Sequence, residues 1–175
     1  MRSAYRAFTL IELLVVIAII GVLSAVVLAS LSTARDRART ASAKQTLRQV
    51  AIAIDQARLQ SGMVLKDITN STYSAAACVD PNMNSAGCLA NMQAQFTKIN
   101  VASGGMLDAF IASGFRDPWG NVYLFDENEL ENGSCSTKDL VFSAGPDGIH
   151  GGSGSPTRLD NINLYLSFFS PTCAS

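Results

Sequence analysis

The stretch Arg6–Leu23, RAFTLIELLVVIAIIGVL, places a single carboxylate, Glu12, near the start of an otherwise apolar run, with Arg6 just upstream. From Leu13 to Ala34 no charged side chain occurs, and the only polar ones are Ser24, Ser30, Ser32 and Thr33. About 20 apolar residues rising ~1.5 Å each cover ~30 Å of hydrocarbon, so this run is long enough to cross a bilayer. An ordinary secretory signal has an apolar stretch of roughly 7–15 residues followed by a small-residue cleavage boundary. Here the run is longer, lacks an Ala-x-Ala boundary and passes into a segment that keeps a helical pattern.

That pattern resumes at Leu47. Leu47, Val50, Ala51, Ile54 and Ala57 recur at helical spacing, which leaves Arg48, Gln49, Asp55, Gln56 and Arg58 for other faces. One helix is therefore expected from Phe8 to Ser61, with Gly62 as its left-handed stop. The chain has 175 residues, 48% hydrophobic and 15% charged, which suits one domain plus a membrane segment. The organisation read from it is a leader at 1–7, a transmembrane and assembly half-helix at 8–34, an amphipathic half-helix at 35–62 and an exported globular domain at 63–175. The formal charge is −1 and falls to −3 once Arg2 and Arg6 are removed. That balance argues against a general nucleic-acid binder, which would carry a basic face, and leaves a part in DNA uptake open.

Beyond the helix, residues 63–103 read as a polar loop with one short helix near Leu89–Ile99. The tetrapeptide Asp117-Pro118-Trp119-Gly120 has the composition of a type I turn, and Val122–Phe125, Asp139–Ser143 and Ile162–Phe169 read as three short strands. A small antiparallel sheet covering the amphipathic half-helix, in an α+β fold, is the economical architecture, with Leu47, Val50 and Ile54 beneath it. The four cysteines all follow the apolar span, and an even number in an exported domain reads as disulfides. Of the three connectivities, Cys78–Cys88 with Cys135–Cys173 is preferred, because the first pair closes a short loop and the second ties down the C-terminus. Between the second and third strands, SAGPDGIHGGSGSPTRLDN carries carboxylates Asp147 and Asp160 among glycines, a composition that suits a hard cation such as calcium or a plain surface loop. His150 in this loop has no Cys or His partner at metal spacing and is read as exposed. No GxSxG, P-loop or Rossmann fingerprint occurs, so an enzyme is not expected.

The segment FTLIELLVVIAIIGVL, a Phe after a short basic leader with Glu at its fifth position, resembles the N-terminal motif of type IV pilins and of the pseudopilins of type II secretion. The resemblance implies a pilin-like fold and cleavage between Ala7 and Phe8 by a prepilin peptidase, with N-methylation of Phe8. It implies further a membrane-held subunit that an inner-membrane assembly platform adds to a homo-oligomeric filament. The sequence departs from the motif at Ala7, where glycine is usual, and at Ala29, where proline is common. In this family Glu12 would meet the new α-amine of a neighbouring subunit. A carboxylate in hydrocarbon costs roughly 2.5–3.5 kcal/mol at mid-helix and less near an end, and such a pair offsets that cost. Arg2 and Arg6 precede the span while Arg35, Arg37, Arg39 and Lys44 follow it, so charge alone does not orient the chain. The cysteines and the resemblance place the C-terminal domain outside, in a single-pass membrane protein that ends in a periplasmic or extracellular filament. DPWGNVY followed by SAGPDG resembles the last part of the major pseudopilins, whose loop binds calcium; on that resemblance Asp147 and Asp160 are the carboxylate ligands, with the carbonyl of Ala144. Ser153 or Gly154 stands where a further ligand is expected, and the cysteines are a feature of pilins rather than of those pseudopilins. The other reading is a monomeric membrane-anchored calcium-binding module, which has no use for Phe8 or Glu12.

Overall fold

The computed structural model describes residues 9–71, 74–79, 83–130, 133, 135–150, 161–170 and 172–173. The chain divides into two units, Met1–Ala38 and Arg39–Ser175. Helix α1, Leu10–Ser61, supplies the described part of the first unit and the first element of the second. Its end is made by Gly62, whose φ of 70° lies in the left-handed region and whose N–H donates to the Arg58 carbonyl at 2.8 Å.

In the second unit the fold is α+β. Helices α2 (Leu65–Thr69), α3 (Ala86–Ala102) and α4 (Asp108–Ala112) precede strands β1 (Leu124–Asp126), β2 (Leu140–Ser143) and β3 (Ile162–Tyr165). The strands form one antiparallel sheet in the order β1-β2-β3, with Phe125 opposite Val141 and Phe142 opposite Asn163. Leu47, Val50 and Ile54 of α1 are buried, as the periodicity requires, and share the core with Phe125 and Val141. At ~25 cal/mol per Å² of apolar surface, each such side chain contributes roughly 1.5–3 kcal/mol on burial.

The segment expected to be mostly loop is built more firmly than its composition suggests. Ser85 caps α3, its hydroxyl accepting from the Cys88 N–H at 3.1 Å, and the helix runs 17 residues instead of the eleven expected. Cys88, Met92, Phe96 and Ile99 form its buried face, and Phe96 meets the rings of Phe110 and Phe125 edge-on at 5.0 and 5.1 Å. The last strand is shorter than expected and stops at Tyr165, although Leu166 is still buried and donates its N–H to the Asp139 carbonyl.

The disulfides are Cys78–Cys88 and Cys135–Cys173, with Cα atoms 4.7 and 5.1 Å apart. The second closes a segment whose ends are 38 residues apart in sequence and that contains β2, β3 and the connection between them. Replacing Cys135 and Cys173 together by serine is expected to lower the unfolding free energy by roughly 3–4 kcal/mol, as chain entropy predicts for a loop of this length. Urea titration of the full chain in detergent reads this directly, and a loss under about 1 kcal/mol would mean that other contacts already pin the C-terminus.

Candidate functional site

The first candidate site is the beginning of α1. Glu12 lies in the first turn, where its Oε2 accepts from the Thr9 N–H at 2.9 Å and from the Thr9 hydroxyl at 2.8 Å. In return the Glu12 N–H donates to the Thr9 Oγ1 at 3.3 Å. This is a reciprocal capping box: the Thr9-x-x-Glu12 spacing lets each side chain satisfy a backbone donor that has no partner within the helix. The sequence carries that signature, so this second task of Glu12 was legible there. Ala7 and Phe8, the expected cleavage pair, lie outside the described residues. From Leu10 to Leu31 every large aliphatic side chain is 46% or more exposed. The helix thus offers the single chain an apolar surface on all sides, which a bilayer or other copies must cover.

The second candidate is the base of the glycine-rich loop. Asp117 is buried, and its Oδ1 accepts from the N–H groups of Trp119 and Asn121, closing the turn that the sequence predicts. Its Oδ2 accepts from the Ser143 hydroxyl at 2.6 Å, which fastens that turn to the end of β2. Asn121 Nδ2 donates to the Gly145 carbonyl at 2.9 Å. Gly148 presses so closely on Asn121 that a Cβ there would lie 2.7 Å from the amide oxygen, and its φ is 66°. The loop therefore leaves the sheet in a fixed direction. Within it Asp147 accepts from the Ile149 N–H at 2.9 Å, and Ala144 is buried. Asp160, Ser153 and Gly154 lie outside the described residues. Among the described residues, no cluster of three His, Cys, Asp or Glu side chains stands together. Continuing the β2–β3 register one step past Ser143 opposite Ile162 brings Ala144 opposite Asn161. The side-chain oxygen of Asn161 is buried and has no hydrogen-bond partner among the described residues.

His150 is not the exposed loop residue expected. It is 8% exposed and packs on Phe142 with ring centroids 4.9 Å apart, and burial holds its pKa below the usual histidine value. It is therefore a neutral core residue at pH 7.

Arg58 also departs from its expected place. It is 1% exposed, at the core-facing edge of α1 one turn after Ile54, and not on the polar face. Its Nη2 donates to Asp139 and lies 3.6 Å from Glu129, while its Nη1 donates to the Ser167 carbonyl at 3.2 Å. Glu129 in turn accepts from the Phe169 and Ser170 N–H groups at 2.7 and 2.6 Å. One guanidinium thus gathers the end of α1, the β1–β2 connection, the start of β2 and the C-terminal segment.

Residues 2–28 match the prokaryotic N-terminal methylation motif. Most of the chain is similar to type II secretion system core protein G of several bacteria. Identity is 30% over 168 residues with that of Pectobacterium carotovorum subsp. carotovorum, covering 93% of this chain and 89% of the relative. With that of Escherichia coli K12 it is 30% over 162 residues, covering 93% and 92%. With that of Pseudomonas aeruginosa PAO1 it is 28% over 166 residues, covering 91% and 96%. No solved structure matches the chain.

Proposed function

Since the chain belongs to the family of type II secretion system core protein G, we propose that it is made with a leader ending at Ala7 and is held in the inner membrane by residues 8–34. An assembly platform then adds it to a secretion pseudopilus in which the domain after Ser61 faces the periplasm. It is a filament subunit anchored by its N-terminal helix, and its family is a structural one. The observation that supports the reading best is the joining of two features on one helix. The apolar surface is exposed all round from Leu10 to Leu31, and a methylation motif stands at its very start. A monomeric tether would need the first feature and not the second.

Mass spectrometry of the filament-borne protein tests processing. The expected mature chain begins at Phe8 with one added methyl group, and an intact Met1, or a mature end after Ala29 or Ala34, would overturn it. Ala7 is the next smallest residue after the usual glycine, so Ala7→Gly is expected to speed the cut without moving it.

Calcium belongs to the same reading. The buried Asn161 oxygen across the strand register from Ala144 has no donor among the described residues, and Asp147 stands three residues beyond Ala144. Hard oxygen donors of this kind suit calcium, with Asp147, Asp160 and the Ala144 carbonyl as the holding groups. The bound ion would supply no chemistry; it would gather a glycine-rich segment of high backbone entropy. Binding to the folded state alone raises stability by RT ln(1 + [L]/Kd), about 2.7 kcal/mol at 100 times Kd. The melting temperature of the full chain in detergent is therefore expected to rise with calcium, to respond less to magnesium and to lose the rise in Asp147→Ala. A melting temperature equal in calcium, magnesium and chelator would leave a plain surface loop.

A further inference from the structure

We propose that Arg35, Arg37 and Arg39 bind the phosphates of anionic phospholipid at the exported face of the bilayer and so hold α1 at a fixed depth; this rests on the membrane span and orientation proposed above. All three are exposed on α1, and Leu31, the last exposed large aliphatic of the span, stands four residues before Arg35. At ~1.5 Å per residue that is about 6 Å, so the guanidiniums meet the headgroup layer just beyond the hydrocarbon. The other end of the span agrees. Glu12 lies 23 residues before Arg35, which is ~35 Å along the helix against a hydrocarbon core of ~30 Å. A carboxylate and an arginine therefore stand at its two boundaries.

Charge and geometry select the partner. From Arg35 to Arg48 the helix carries five cations, Arg35, Arg37, Arg39, Lys44 and Arg48, against one acid, Asp36. Cytoplasmic flanks normally hold the excess of Lys and Arg, yet only Arg2 and Arg6 precede the span. The later cations stand on the exported side against that rule, so topology does not account for them. At about 100° per residue Arg35 and Arg39 share one side of α1 and Arg37 lies on the other. Lipid surrounds a single helix and can meet both sides, whereas one docked protein surface meets one. Each guanidinium also offers a planar fork of N–H donors that matches phosphate oxygens in pairs. Lys44 and Arg48 begin ~14 Å beyond Arg35, outside the headgroup layer, and serve as the comparison.

The test is native mass spectrometry of the full chain in detergent with equal amounts of phosphatidylglycerol, which is anionic, and phosphatidylcholine, which is not. Each cation at an anionic surface favours binding about fivefold, so the parent is expected to carry phosphatidylglycerol over phosphatidylcholine by at least about that factor. Arg35→Gln, Arg37→Gln and Arg39→Gln together should bring the two lipids to within about twofold, while Lys44→Gln with Arg48→Gln should leave the parental preference within about twofold. Equal uptake of both lipids by the parent, a parental preference in the triple variant, or an equal loss in the Lys44 and Arg48 variant would overturn the proposal. If the triple variant does not fold, Asp36→Asn decides alone: removing the one opposing charge should raise the preference by about threefold or more, and no rise would overturn it. A chain that alkaline carbonate washes from membranes would sink the membrane reading itself, whereas an embedded chain with no lipid preference would sink only this one.

Discussion

Replacing Arg58 by alanine is expected to destabilise the Arg39–Ser175 unit by about 3–5 kcal/mol, because it leaves the buried carboxylates of Glu129 and Asp139 without their cation. The size of the loss reflects uncompensated charge and not the intrinsic strength of the ion pair, and this makes two further results follow. The triple change Arg58→Met, Glu129→Gln, Asp139→Asn should recover most of the stability, since it removes all three charges together. The loss in Arg58→Ala should also shrink in acid. Burial raises the Asp139 pKa above its ordinary 3.8, against the opposing pull of the Glu129 N–H and of Arg58. A carboxyl whose folded pKa is raised contributes stability fully below its unfolded value and loses it as pH climbs through the folded one. Without Arg58 that folded value rises further, so Arg58→Ala should be most damaging at neutral and alkaline pH and least near pH 4. Urea unfolding of parent and variants across this range is the measurement. A loss under about 1 kcal/mol at pH 7, or one independent of pH, would show that the two carboxylates have another partner.

That cluster also marks where the sequence ceases to be readable. The helix, its stop at Gly62, the three antiparallel strands and the core stripe at Leu47, Val50 and Ile54 all follow from local spacing and turn chemistry, which a single sequence displays. Arg58 does not. Its position lies toward the core, but a long cationic side chain reads as solvent-facing until its partner is known, and Asp139 stands 81 residues away. Asp117 shows the same limit at shorter range: one of its oxygens closes a turn that composition predicts, and the other reaches Ser143, 26 residues on. Leu130, held at a φ of 59° directly after Glu129, gives no local sign of that backbone either, since glycine or asparagine is the usual occupant. The candidate sites divide in the same way. Thr9-x-x-Glu12 and the paired cysteines are patterns in the chain, whereas the position of Asn161 across from Ala144 depends on which strand lies opposite it.

Glu12→Ala is expected to abolish filament assembly while leaving membrane insertion and the folded domain intact, because Glu12 makes its described contacts only with Thr9. The capping box gives this carboxylate two separable duties. Within its own chain it secures the first helical turn, a contribution of about 0.5–2 kcal/mol that polar capping groups commonly make. Between chains it is proposed to meet the α-amine that cleavage creates on a neighbour. Losing one partner of a desolvated charge pair costs about 3–5 kcal/mol, which is more than a hundredfold in the equilibrium for adding a subunit. Glu12→Gln separates the two, since glutamine serves a capping box as glutamate does but carries no charge. The helix start should therefore survive in Glu12→Gln and assembly should still fail, nearly as completely as in Glu12→Ala. Thr9→Val gives the converse: the cap is lost, the charge stays, and assembly should fall by much less. Filament yield in sheared fractions, set against membrane-bound monomer, reads all three variants. Parental assembly of Glu12→Gln would mean that the carboxylate acts through its own helix, and that register between subunits is set by the apolar surface from Leu10 to Leu31 instead.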